Sequence, residues 1–294
     1  MPRNTRPLRQ TQAYELSDQF RYKKYYYESF KGGQQPHFLK TTAGLPALPT
    51  ANQGDISIAY TNGGYWEFFE TTAQTLFPTG VAGSGLNIAC DLVENEALEL
   101  VPGGNSSASR LAFTLGTSPN FFFRAKYNIT DVSGADQAVL AGFRKQEAFA
   151  VPVSLLTTGD GVYTDFSGIG LSGEDGVDVK VVSDLNNSGS TVVTDTGFNL
   201  TDSQVVEVTA MVIAGKVVYK INGVQLGNPV AKDGDGAAIS SQVTLTSPSF
   251  TFDSGDVLVP WIFLRHDDEV AEGFHLQEVE IGFLADAGLD PNAL

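Results

Sequence analysis

The stretch QVVEVTAMVIAGKVVYKINGVQLG, Gln204 to Gly227, constrains this chain more than any other. Two runs rich in valine are separated by a reversal at Ala214-Gly215-Lys216. A second reversal follows at Asn222-Gly223, a dipeptide that readily takes the positive φ angles of a tight hairpin. Two successive hairpins commit this part of the chain to an antiparallel sheet. Ahead of it, VDVKVVSD sets Val177, Val179 and Val181 against Asp178 and Lys180, the period of two expected of a strand. Behind it, VLVPWIFLRH is an almost unbroken apolar run and should be a central strand. FHLQEVEIGFL, with Phe274, Leu276, Val279 and Ile281 in imperfect alternation, closes the domain.

The first half reads the same way. DISIAYT, YWEFFETTA, LNIACDLV, LELVPG, RLAFTLG, NFFFRAKYNI and AVLAGFRK are short runs of aromatic and β-branched residues. Clusters of Gly, Pro, Asn and Asp separate them, and the 31 glycines suit a chain with many tight turns. No long amphipathic helix and no internal repeat is read after residue 50. The expected fold is all-β: a two-sheet antiparallel jelly-roll sandwich over residues 51–294, preceded by an extended N-terminal arm over residues 1–50.

The arm differs in composition. It holds Pro2, Pro7, Pro36, Pro46 and Pro49, and LPALPT reads as an extended linker because each proline fixes its own φ and restrains its predecessor. QAYELSDQFRYKKYYY suits a short helix with Leu16, Phe20, Lys23 and Tyr27 on one face. Alternation over Arg21–Tyr27 suits a strand equally, and both remain open. Residues 1–40 carry eight basic and three acidic residues, so the remaining 254 residues hold only ten of the 18 bases and 31 of the 34 acids. A basic arm therefore precedes a strongly acidic body, which repels phosphate backbones and makes nucleic acid an unfavoured partner.

The order of an alternating strand, a hairpin ending in VVYKINGVQLG, a variable loop, VPWIFLRH and a final FHLQEVEIGFL resembles the concanavalin A-like lectin/glucanase jelly roll and its laminin G-like relatives. The resemblance covers residues 170–284 well, and residues 55–170 through compatible strand content. It implies a fold that hosts sugar binders, glycosidases, lyases and purely structural modules, so function must come from the site. In style, a Pro- and Arg-containing arm before a Cys-poor, Gly-rich, acidic sandwich also resembles tailed-phage virion proteins.

Catalytic patterns are sparse. A glucanase of this fold would show alternating carboxylates in an E-x-D-x-E-like pattern. Glu94-Asn95-Glu96 and Glu278-Val279-Glu280 come nearest, and both lack the middle Asp. His266 before Asp267-Asp268-Glu269 reads as a charged loop; His37 lies in the arm and His275 on the last strand. No Cys/His spacing supports zinc, and neither a GxSxG elbow nor a phosphate loop occurs. The single cysteine, Cys90, makes no internal disulfide. GLSGEDG (170–176), SDLNNSG (183–189) and AKDGDGA (231–237) are oxygen-rich loops that leave calcium as the one cofactor to consider, although none has EF-hand spacing. Tyr60, Tyr65, Trp66, Phe68, Phe69 and Phe121–Phe123 are aromatic patches that suit a core, with sugar stacking as the alternative.

These observations lead to the expectation of a non-enzymatic virion structural protein, a capsid decoration or head-associated protein. Its partner-docking residues are Arg3, Arg6, Arg9, Tyr14, Phe20, Arg21, Tyr22, Lys23, Lys24, Tyr25, Tyr26, Tyr27 and Phe30, with the tyrosines buried against a major capsid protein, another virion protein or a sister chain in a homo-oligomer. No apolar segment follows the basic start MPRNTRPLRQ, and no apolar run reaches the roughly 20 residues that span a bilayer. Assembly in the host cytoplasm into the virion is expected, with no membrane partner. The alternative is a carbohydrate-binding, lectin-like module that contacts host-surface glycans.

Overall fold

A computed structural model describes residues 25–33, 37–39, 55–61, 64–70, 79–88, 96–132, 137–149, 163–172, 177–185, 192–227, 250–266 and 273–284. The strands among them are β1 (Tyr25–Ser29), β2 (His37–Leu39), β3 (Asp55–Thr61), β4 (Gly64–Glu70), β5 (Thr79–Val81), β6 (Gly85–Asn87), β7 (Ala97–Pro102), β8 (Phe113–Thr114) and β9 (Phe121–Ile129). They continue as β10 (Gln137–Lys145), β11 (Phe166–Ser172), β12 (Asp178–Asp184), β13 (Val192–Asn199), β14 (Val206–Ile213), β15 (Lys216–Ile221), β16 (Val224–Gln225), β17 (Val257–His266) and β18 (Phe274–Phe283). No helix occurs among the described residues.

Two antiparallel sheets pack face to face as a jelly-roll sandwich. The smaller sheet runs β16-β15-β14-β9-β18-β6-β5, with β1 also paired to β18. The larger runs β13-β12-β11-β10-β17-β7-β4-β3-β2, with β8 also paired to β17. β9 shows how sequence selects a face. Phe121, Phe123, Ala125, Tyr127 and Ile129 enter the core, whereas Phe122, Arg124, Lys126 and Asn128 point away from it. β17 lies mid-sheet as its apolar run predicts. Leu258, Ile262 and Leu264 face the inter-sheet core, and Val259, Trp261 and Phe263 join a second apolar cluster on the sheet's outer face. Pro260 lies opposite the gap between the β8 and β7 pairings, a position that tolerates a residue without an N–H. The two hairpins form as expected. Ala214-Gly215 and Asn222-Gly223 each supply two positive φ angles, 50° and 85° in the first and 50° and 80° in the second.

The arm departs from expectation. Residues 25–29 form β1, in register with β18 from Tyr25↔Gly282 to Ser29↔Glu278, and residues 37–39 form β2 beside β3. Both strands belong to the sandwich, so its N-terminal limit is not residue 51. The period of two decides this. Tyr26, Glu28 and Phe30 point inward while Tyr25, Tyr27 and Ser29 point outward. The Trp66 indole N–H donates to the Tyr26 hydroxyl at 2.8 Å, and Phe30 meets the Trp66 ring edge-on at 5.6 Å between centroids. Tyr26 and Phe30 are thus core residues of their own chain, not anchors left free for another. Burying two aromatic rings contributes on the order of 3–6 kcal/mol, enough to hold a strand that hydrogen-bonds to a single neighbour.

Candidate functional site on the outer face of the larger sheet

Charged residues inside apolar strands converge on the outer face of the larger sheet. β7 reads ALELVP, and Glu99 is its only charge; strand alternation turns it away from the core that Leu98 and Leu100 fill. β10 places Arg144 on the same face. Both side chains have no exposed surface, and Arg144 Nε stands 3.4 Å from Glu99 Oε2. The Tyr163 hydroxyl donates to Glu99 Oε1 at 2.5 Å. The guanidinium lies over the Tyr163 ring at 4.3 Å and the Phe149 ring at 5.2 Å, so aromatic faces replace water around the cation. Trp261 and Phe166 complete the apolar surround, and the Trp261 ring lies over Gly168, where a Cβ would come within 3.5 Å of it.

Burial pushes the Glu99 carboxyl above its ordinary value. Arg144, the Tyr163 hydroxyl and the Trp261 indole oppose that shift without cancelling it. The ion pair is incomplete as a hydrogen-bonded unit, because 3.4 Å exceeds the 2.7–2.9 Å usual for charge-assisted bonds. Arg144 Nη1 donates to the carbonyls of Lys145 at 3.0 Å and Glu147 at 3.5 Å, whereas Nη2 is buried with no hydrogen-bond partner.

The rim of this face is a polar loop. Gly103 and Gly104 both take positive φ, and only a glycine at 104 fits, since a Cβ there would sit 2.7 Å from the Tyr65 ring. The loop then presents half-buried Asn105, whose N–H donates to Glu67 Oε2 at 2.8 Å and whose Nδ2 donates to the Glu147 carbonyl at 2.7 Å. Asn105 and Arg144 therefore meet at one carbonyl oxygen. Asn105 Oδ1, like Arg144 Nη2, is buried without a partner. The Glu147 carboxylate is occupied, accepting from the N–H and hydroxyl of Thr164 at 2.7 and 2.8 Å. The result is an unsatisfied acceptor on Asn105 and an unsatisfied donor on Arg144; the half-buried Tyr65 ring borders Gly104, and the half-buried Phe149 ring lies against Arg144 and is stacked on Phe69 at 4.9 Å.

The residues singled out by sequence fall elsewhere. Of the docking set, Tyr26 and Phe30 are in the core. Tyr25 and Tyr27 lie on the outer face of the smaller sheet, Tyr25 donating to Glu280 at 2.7 Å and Tyr27 46% exposed. Arg3, Arg6, Arg9, Tyr14, Phe20, Arg21, Tyr22, Lys23 and Lys24 lie outside the described residues. Glu278 and Glu280 share that outer face. Glu278 pairs with Lys31 at 2.8 Å and Glu280 with Arg124 at 2.7 Å, the arrangement of a charged sheet surface. Trp66, Phe68, Phe121 and Phe123 are core, and Phe122 packs on Met211 and Ile213 on the smaller sheet's outer face. His275 is half-buried, and burial lowers its pKa. Glu94, Asp267–Glu269 and the 231–237 loop lie outside the described residues. Among the described residues no group of three His, Cys, Asp or Glu side chains is placed to hold a metal, and no helix is long and apolar enough to cross a membrane.

Sequence reasoning missed Glu99, Arg144, Asn105, Tyr163 and Trp261 as a group. The available signal was charge within apolar strands: the lone Glu99 in ALELVP, and Arg144 on the outward-facing period of AVLAGFRK.

No protein-family model matches the chain, and no curated protein does. Solved structures similar to it include a protein of unknown function from Shewanella oneidensis MR-1, at 8% identity over 96% of this chain and 95% of that one, with a TM-score of 0.41. Peanut lectin with a nine-residue peptide matches at 12% identity over 84% and 96%, with a TM-score of 0.41. The exoplasmic/lumenal domain of VIP36 bound to Ca2+ and Man3GlcNAc matches at 8% over 76% and 88%, with a TM-score of 0.43. At these identities, and with TM-scores below 0.5, nothing is carried over from those proteins to this chain. The fold rests on the strand pairing described above.

Proposed function

We propose that this protein is a non-enzymatic carbohydrate-binding sandwich whose sugar site is the rim of the larger sheet's outer face. The carrying observation is that Asn105 Nδ2 and Arg144 Nη1 both donate to the Glu147 carbonyl while Asn105 Oδ1 and Arg144 Nη2, on the same two side chains, are buried with no hydrogen-bond partner. Buried polar atoms are nearly always hydrogen-bonded, and an unpaired acceptor and an unpaired donor on two side chains that share one carbonyl suit a ligand whose hydroxyls both donate and accept. The half-buried Tyr65 and Phe149 rings supply apolar faces for a sugar ring. On a glycan array the protein should bind a defined subset of oligosaccharides, and Tyr65→Ala and Asn105→Ala should each weaken that binding at least tenfold with folding intact by circular dichroism. No binding above background on a broad array would overturn the reading.

The main expectation from sequence, an arm-anchored virion protein, loses two of its docking residues, because Tyr26 and Phe30 are buried in the chain's own core; the docking residues from Arg3 to Lys24 lie outside the described residues.

A further inference from the structure

We propose that β13 is a self-association edge: its first half pairs antiparallel with the same strand of a second copy of this chain, about a two-fold axis at Val193. The proposal stands apart from the carbohydrate reading. A sheet edge invites another strand, and proteins guard against this with short edges, charges, prolines or bulges. Among the described residues the other strands that end the two sheets, β2, β5 and β16, have only two or three residues, whereas β13 has eight. Its sequence VVTDTGFN holds no lysine, arginine or proline. Val192 is 60% exposed and Val193 42%, an open pair of β-branched side chains.

Only half of this edge is open. Pairing with β12 runs regularly from Val192↔Ser183 through Val193↔Val182 and Thr194↔Val181 to Asp195↔Lys180, then resumes at Phe198↔Val179. Thr196 and Gly197 between them form a bulge, in which Gly197 takes a φ of 76° and the Thr196 hydroxyl donates to the Val179 carbonyl at 2.5 Å. That bend closes the second half of the edge to pairing. The strand's one charge, Asp195, is already matched: it lies across from Lys180, and its Oδ1 accepts from the Gly197 N–H at 2.8 Å.

The open half is complementary to itself. Val181 belongs to the inter-sheet core and Val182 to the outer cluster, so Val192 and Thr194 lie on the inner side of the sheet and Val193 on the outer side. Directly opposed residues of an antiparallel pair share a face, so a second β13 meets the first only with inner residues against inner ones. Val193 opposite Val193 obeys this and sets each Val192 against a Thr194, so these pairs are all β-branched. Moving the axis to Thr194 would set Val193 against Asp195, and moving it to Asp195 would oppose two carboxylates. The two-fold closes the assembly at a dimer, with both outer faces on the same side of one continuous sheet. Each chain carries a net charge of −16, so the two copies repel at long range, and an apolar edge contact tightens as salt screens that repulsion. Docking through the basic N-terminal residues would weaken with salt instead.

The test follows the full chain by sedimentation equilibrium at about 0.05 M and about 0.5 M salt. A monomer–dimer equilibrium that tightens at the higher salt is expected. Val193→Lys, a change at an exposed position, should weaken it at least tenfold with circular dichroism and melting temperature unaltered. Cysteines placed in a Cys90→Ser background read the register. Oxidised Val193→Cys should give covalent dimers, and Val192→Cys should give them when mixed with Thr194→Cys but not alone, because a diagonal pair is too far apart to bridge. A dimer that ignores Val193→Lys, or one that loosens with salt, overturns the proposal. A monomer at every concentration and salt overturns it too, and leaves the edge to an extended peptide of another protein.

Discussion

β9 and β10 follow one another in the chain, and each turns an arginine outward from the core, but the two arginines live differently. Arg124, on the smaller sheet, keeps 25% of its side-chain surface exposed and meets Glu280 at 2.7 Å, Glu207 at 2.9 Å and Glu278 at 3.9 Å. Arg144, on the larger sheet, has no exposed surface and one carboxylate at 3.4 Å. The first has more carboxylates than it needs and water to screen them. The second has too few partners and no water, and every unmade bond is costly there. An arginine with surplus partners works as a surface clamp across β14, β9 and β18. An arginine with a deficit holds an unpaired donor inside an apolar surround.

The sharpest way to break this contrast is to delete each side chain. Arg144→Ala strands Glu99 in an apolar surround and should cost about 3–5 kcal/mol in urea unfolding. A loss below 1 kcal/mol would mean that the buried pair is not ionised in the folded protein. The pH dependence should separate the two clusters next. Glu99 is raised by burial, so its contribution is fully present below about pH 4.3, the unfolded value, and is lost as pH rises through its folded pKa. Glu278 is lowered by the Lys31 hydrogen bond and the charges of Lys31, Lys126 and Arg124, which together outweigh its burial. Its contribution is present above about pH 4.3 and is lost as pH falls through its folded pKa. Glu99→Gln should therefore flatten the decline of melting temperature above pH 4.3, and Glu278→Gln the decline below it. Parallel effects on one limb would contradict the assignment. Arg124→Ala should cost about 1 kcal/mol or less, shrinking further in 1 M salt. Smallest of all, Tyr25→Phe removes one bond to Glu280, whose coupling should be roughly 0.5–1 kcal/mol by double-mutant cycle with Glu280→Gln as the second change.

Much of the fold was legible because strands announce themselves locally. VLVPWIFLRH could only be central, and Ala214-Gly215 and Asn222-Gly223 fixed two hairpins by backbone conformation alone. β11 and β13 were harder. FSGIGLS is diluted by glycines, which the close β10–β11 approach demands at Gly142 and Gly170, where a Cβ would strike the neighbouring strand's backbone. VVTDTGFN is an edge strand with Val192 and Val193 exposed; Thr196 is buried and Phe198 packs on the core, too short an inward face to impose a readable alternation. The arm misled through composition. Five aromatics and three bases in RYKKYYYESF suggest a surface anchor, yet the alternation of Tyr26, Glu28 and Phe30 was already a core pattern. The site was illegible for a different reason. Glu99, Asn105, Arg144, Tyr163 and Trp261 come from five separate places in the chain, and only sheet register brings them together.

The pairing of β1 with β18 has a consequence for how the molecule is made. Tyr25 and its partner Glu280 are 255 residues apart, so at 5–20 residues per second the first strand leaves the ribosome roughly 10–50 s before the last one exists. Through that interval Tyr26 and Phe30 have no strand to lie against, and Trp66 waits with its indole N–H unmatched. The sandwich closes only once β18 has been made, and a nascent chain stalled before Phe274 should be a better client for chaperones than one that includes that strand.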